Sequence, residues 1–322
     1  MIVAMMAAAA FGVAGHAPHH RHHAAHRPVP SSARFISYAR AFEDFADATA
    51  SQPEAERVRR FHQRFGPLAA GFYRPRDREP ARLDASIARA LTEFPSIRVR
   101  YDHASASFEK AFVTGQARFR KFFPDYRLTL PVYLLHSLGE MDGGTRELEG
   151  RTVAIFGADV IAKIHDDATI GPFLDHELFH TYHARYFPEC SKIWCSLWAE
   201  GLAVYVTSTM NPAATDRDLL LTIPQPIRPA IMPRLAEAMC GLWAKLDSTA
   251  KEDYGPFFYG QPNSGGFPPR YGYLLGLLLV QKIGTGMTPE QLAKLPPAKV
   301  RPLLDQALAS YGPCPAGVTV AR

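Results

Sequence analysis

"FLDHELFHTYHARYFPECSKIWCSLWAEGLA" runs from Phe173 to Ala203, and its first eleven residues carry three histidines, one glutamate and one aspartate. His176, Glu177 and His180 form an H-E-x-x-H pattern. On a helix, four residues advance the chain by about 400°, so His176 and His180 stand one turn apart, about 40° from eclipsed. Both imidazoles then reach one metal ion. Glu177 lies about 100° round from His176. It points near the metal without having to bind it, where a general base for a metal-activated water belongs. Asp175 reads as a cap or dipole partner at the helix start, which falls there or near Pro172.

A catalytic zinc requires a third protein ligand and an open position. His183 is one turn further along the helix, too far to converge tetrahedrally. Cys190 and Cys195 would close the site into a structural one. Glu200 is the strongest candidate. Twenty residues separate it from His180, enough for the first helix to end and a second to return alongside. Its neighbours Trp198, Leu202, Val204 and Tyr205 make the stretch apolar. A lone carboxylate there is costly unless paired or metal-bound. Gly201 and Ala203 are small enough to let two helices approach closely.

HELFH followed by the Glu of WAEGLA resembles the gluzincin clan of zinc metallopeptidases, and within it bacterial proteins described as zinc-dependent proteases. The likeness covers about residues 152–281 and is strongest at His176–His180 and Trp198–Ala203. It implies Zn²⁺ held by His176, His180 and Glu200, Glu177 as general base, and a peptide or protein substrate. It implies an oxyanion donor on a later helix, for which "PPRYGYLLGLLLVQ" supplies Tyr271 or Tyr273 beside Arg270. It also implies that the strand before the zinc helix, "TVAIFGADV", forms a cleft rim on which an extended peptide pairs. The chain departs from two branches. It has no Gly-x-Met-Glu-Asn segment for a free amino terminus, and Ala203 and Val204 stand where thermolysin-like enzymes carry an aspartate. The other reading is a non-catalytic zinc-binding or metal-handling protein on the same scaffold.

Outward from the motif, "YRLTLPVYLLHS" (126–137) and "RTVAIFGADV" (151–160) are short, apolar and partly β-branched, hence strands. The Gly- and acid-rich segment between them reads as a loop. Together they predict a small antiparallel sheet preceding the H-E-x-x-H helix. Residues 31–123 read as helical: Phe35, Tyr38, Phe42 and Phe45 recur at helical spacing, and Pro53 opens the next helix. After the motif, apolar helices are predicted over "CSLWAEGLAVYVTSTM", "PAIMPRLAEAMCGLWAKL" and "YGYLLGLLLVQKI". A long aromatic loop (254–270) precedes the last of these, and two short helices close the chain. The fold class is α+β: mostly helical, with a zincin-like core over 124–322, a helical region over 31–123 and a segment without regular structure over 1–30.

Composition agrees with a globular protein: 47% hydrophobic and 21% charged residues. The first 127 residues hold 18 Arg and 2 Lys against 12 acids, but no basic run is long or interleaved with aromatics, which argues against nucleic acid. "MIVAMMAAAAFGVAGHA" is too short for a stable membrane span and resembles the apolar core of a signal peptide, implying a periplasmic or secreted protein. "HAPHHRHHAAHRP" then places six histidines in a segment able to hold metal loosely. Four cysteines lack Cys-x-x-Cys spacing and fit two disulfides. Of three connectivities, the most local pairs Cys190 with Cys195 and Cys240 with Cys314; free buried thiols are the alternative.

Overall fold

The computed structural model describes residues 35–75, 78–188, 190–261 and 265–314. The signal-like start and the histidine-rich segment lie outside them. The described chain divides into two compact units, residues 35–98 with 128–160, and residues 99–127 with 161–314.

The first unit carries the sheet. Strand β1 (Phe35–Ser37) precedes helices α1 (Ala39–Ala48) and α2 (Glu54–Phe65), and α3 (Pro80–Phe122) begins here and ends in the second unit. Strands β2 (Val132–Leu135), β3 (Gly143–Leu148) and β4 (Arg151–Gly157) complete a sheet of order β1-β2-β4-β3. Helical spacing of aromatics misplaces residues 35–37. Phe35 pairs in parallel with Val132, and ladder hydrogen bonds override the local periodicity. The helix starts only at Ala39. The later part of the region read as helical forms the single long helix α3, with Pro95 inside it.

The expected antiparallel pairing of the two apolar strands is wrong. β2 and β4 run parallel, and the segment read as a loop supplies β3, antiparallel to β4. Leu148 pairs with Arg151 across a two-residue turn. Glu149 and Gly150 both take positive φ, 49° and 72°, the conformation that matches hairpin twist. β4 is therefore flanked on both sides, so "TVAIFGADV" offers no free edge to a peptide; the edges of the sheet are β1 and β3.

The core of this unit is aromatic. Phe42 packs edge-on to Phe94 at 5.1 Å and stacks on the His136 ring at 4.0 Å. Asp159, opening α4 (Ala158–Ile164), is buried and accepts from the Ser137 amide, the Ser137 hydroxyl and the Gly139 amide at 2.6–2.9 Å. It pins the chain leaving β2 to the end of β4.

The second unit is helical. α5 (Ile170–His183) carries the motif and α6 (Ile193–Met210) returns against it. α5 begins a turn earlier than Asp175 would set it. The carboxylate of Asp166 accepts from the amides of Ala168 and Thr169, both at 3.2 Å, and launches the helix at Ile170. Asp175 is thus internal and fully buried. It is ion-paired to Arg118 of α3 and takes a hydrogen bond from Asn211 Nδ2 at 2.8 Å, so it ties three helices instead of capping one.

Beyond α6 come α7 (Arg228–Ile231), α8 (Leu235–Trp243), α9 (Lys251–Phe258), α10 (Gly272–Ile283), α11 (Pro289–Ala293) and α12 (Pro297–Ala309). One helix expected near residues 229–246 is broken at Met232–Arg234, where Pro233 withholds a backbone donor. Part of the predicted aromatic loop is helix α9, whose first turn carries Glu252 and Asp253 at the positive end of the dipole. Disulfides join Cys190 to Cys195 and Cys240 to Cys314. No described helix is long and apolar enough to cross a membrane.

Candidate metal centre

The one-turn spacing on α5 does what the sequence requires of it. Nε2 of His176 and Nε2 of His180 lie 3.0 Å apart. α6 is apolar on every side and buried, and Glu200 is set into it between fully buried Leu197, Trp198 and Leu202. Its Oε2 lies 3.2 Å from His176 Nε2 and 3.3 Å from His180 Nε2. The three side chains retain 12%, 24% and 11% of their exposure, so the group is enclosed but open on the His180 side.

These separations test whether a metal fits. A tetrahedral ion with bonds of about 2.0–2.1 Å has ligand atoms about 3.3–3.4 Å apart. The three edges found are 3.0, 3.2 and 3.3 Å. Among the described residues, this is the one cluster of histidine, cysteine and acidic side chains able to hold a metal ion. It offers three ligand atoms, one short of a tetrahedral set. Two imidazoles and a carboxylate suit a borderline divalent cation.

The electrostatics point the same way. Burial holds Glu200 back from ionising, but the neighbouring His180 and His176 outweigh it and keep the carboxyl well below the usual carboxylate range. Burial opposes charging His180 too, yet Glu200 and then Glu177 push it up to about 9. His176 is pushed down, by burial first. The pocket thus favours one positive charge among its three groups, and a cation satisfies the same carboxylate.

Glu177 is buried, and its charge acts on both His180 and Tyr273. The two tyrosines named as oxyanion donors separate. The Tyr273 ring lies 6.4 Å from that of His176, with the Arg270 guanidinium 4.7 Å from its centroid. Burial, and next the charge of Glu200, keep its phenol protonated far above neutral pH. Tyr271 packs instead between Phe257 and Phe267, at 4.8 and 5.2 Å, and only burial raises it.

His183 is 2% exposed and stacked between Phe179 and Phe187, at 5.2 and 5.0 Å. It is a packing residue that does not join the ligand group. Both cysteines near α6 are consumed in the Cys190–Cys195 disulfide, which removes them as ligands.

Near the centre, one residue escapes a reading of the sequence and a second is named there without a role. Tyr254 of α9 is raised by burial, eased by a hydrogen bond with Ser196, and raised again by the charge of Glu200. It lies in the stretch expected to be loop. Arg270 is buried with φ of 68° and donates to the Ile223 carbonyl at 2.9 Å. The visible signal for it is its place in "PPRYGY", directly before the two tyrosines. Compared with protein-family models, with curated proteins and with solved structures, the chain matches none.

Proposed function

We propose that the protein is a zinc-dependent peptidase of gluzincin type, with His176, His180 and Glu200 as the zinc ligands. The observation that carries this reading is the triangle of ligand atoms with edges of 3.0–3.3 Å, directly followed on α5 by a buried carboxylate that is not part of it. A hydrolytic site needs a base beside the metal, and Glu177 is the acid next to the ligand His176. Zinc, when bound, supplies the Lewis acidity that lowers the pKa of water and polarises a carbonyl. Glu177 takes the proton from the attacking water and returns it to the leaving amine. Tyr273 donates its phenolic hydrogen to the oxyanion developing on the scissile carbonyl. Two disulfides support a periplasmic or secreted setting, where such bonds persist.

The test is a pair of measurements on the full chain: bound zinc by elemental analysis, and cleavage of a mixed peptide library. One zinc per chain with cleavage lost in Glu177→Gln supports the reading. One zinc per chain with no peptide cleaved by the unaltered protein favours the metal-handling alternative.

A further inference from the structure

Gly201 follows the ligand Glu200 on α6, and Gly276 lies three residues beyond Tyr273 on α10. The two glycines face one another. A Cβ at Gly201 would fall 2.4 Å from the carbonyl carbon and 2.5 Å from Cα of Gly276. One at Gly276 would fall 2.7 Å from Gly201 Cα and 2.8 Å from the Leu197 carbonyl oxygen. Ordinary contacts begin near 3.4 Å. Every atom met is backbone, so no side-chain rotation relieves the overlap. The helices themselves would have to part.

Neither glycine is among those with positive φ, so conformational freedom does not explain them. Each weakens its helix by about 1 kcal/mol relative to alanine. What they provide is close approach of α10 to α6. The three ligands stand on α5 and α6, whereas Tyr273 stands on α10 with its ring 6.4 Å from that of His176. The spacing of α6 and α10 therefore sets how close Tyr273 comes to these side chains. Arg270, 4.7 Å from its ring centroid, and Phe258, edge-on at 5.9 Å, restrict how far the ring can swing to make up a difference.

We infer that the Gly201–Gly276 crossing is a positioning device that holds the Tyr273 hydroxyl at the oxyanion position. This rests on the peptidase reading and on Tyr273 as donor. A methyl group at either glycine displaces α10 by roughly half an ångström or more. Misplacement on the scale of 1 Å costs as much as about a hundredfold in rate.

The experiment uses the zinc-loaded full chain and methylphosphonate as a tetrahedral anion, its binding followed by phosphorus NMR. Zinc affinity is measured in parallel by competition with a chelating dye. Tyr273→Phe is expected to weaken methylphosphonate by about tenfold, the loss of one hydrogen bond to a charged group. Gly276→Ala is expected to do the same with zinc affinity within about twofold of the unaltered protein, and the double variant to lose no more than either single one. Normal methylphosphonate binding in Gly276→Ala, or losses that add in the double variant, overturns the inference and leaves the peptidase reading standing. No effect of Tyr273→Phe removes the donor role itself, and the inference with it. If Gly276→Ala does not fold, Val280→Ile crowds the same face of α10 one turn on. It is expected to weaken the probe by about two- to fivefold without adding to Tyr273→Phe, and unchanged or additive binding overturns the inference equally.

Discussion

Oε2 of Glu200 lies 3.3 Å from Nε2 of His180, although nineteen residues of chain, a helix end and a disulfide-closed turn come between them. The pairing is between helices, so it forms only when α5 and α6 are packed. A metal held there is linked to folding: an ion present at about a thousand times its Kd for the folded chain adds about 4 kcal/mol of stability. Stripping the protein with a chelator is therefore expected to lower its Tm, and zinc to restore it. Glu200→Ala is expected to abolish both the stoichiometric zinc and the Tm response. Cys190→Ser leaves zinc stoichiometry intact, because that sulfur is already bonded to Cys195. Zinc lost from the cysteine variant and kept by the glutamate variant would falsify the ligand assignment.

Glu177→Gln separates binding from chemistry. The amide keeps the shape of the carboxylate but accepts no proton at neutral pH. Zinc content is expected to stay at that of the unaltered protein, while the rate of peptide cleavage drops by about 10²–10⁴. The check is elemental analysis beside a cleavage assay on the same preparations. Cleavage at an undiminished rate would remove Glu177 as the base.

The clustering of His176, His180 and Glu200 was legible because its signals are local and chemically rare: H-E-x-x-H on an apolar helix, then a solitary acid in a second one. The sheet was less so. β3 contains Gly143, Gly144, Thr145, Arg146 and Glu147, a composition typical of loops. It is a strand because it pairs with β4 through the tight turn at Glu149–Gly150, and pairing across chain segments leaves little trace in residue type. Phe35–Ser37 was misread for the same reason. Choosing between Tyr271 and Tyr273 was also beyond the sequence. They are two residues apart, and only the packing shows that the Tyr273 ring lies 6.4 Å from that of His176 while Tyr271 packs between Phe257 and Phe267.

His183 makes a separate prediction. Burial pushes its imidazole down to about 3, with the nearby His180 adding to the effect. Its buried Nε2 has no hydrogen-bond partner among the described residues. The folded chain thus keeps this ring neutral while the unfolded chain protonates it from about pH 6.5 downward. In that window the unfolded state binds more protons, so stability falls as pH falls. His183→Phe, which continues the stack between Phe179 and Phe187, removes that loss. With zinc stripped from both proteins, urea unfolding is expected to show the variant about 2 kcal/mol better off at about pH 5 than the comparison at about pH 7.5 gives. Identical pH dependence in the two proteins would count against a buried, neutral His183.

Asp125 carries the opposite sign. It accepts from the Tyr182 hydroxyl at 2.8 Å, the Tyr186 hydroxyl at 2.5 Å and Lys294 Nζ at 3.0 Å, joining the chain after α3 to the end of α5 and to the residue capping α11. Burial works against its charge, but the hydrogen bonds from Tyr186, Lys294 and Tyr182 hold the carboxyl well below the usual range. A folded pKa below the unfolded one gives stability that is complete above about pH 4 and drains away as pH falls toward the folded value. The side chain is 38% exposed, so solvent and salt screen the contribution to about 1 kcal/mol. Asp125→Asn is expected to cost that amount at neutral pH, less in high salt, and progressively less from about pH 4 toward pH 2. Urea melts of both proteins across that range decide it. A deficit that stays constant with pH would mean that Asp125 acts through its shape and hydrogen bonding alone, and not through its charge.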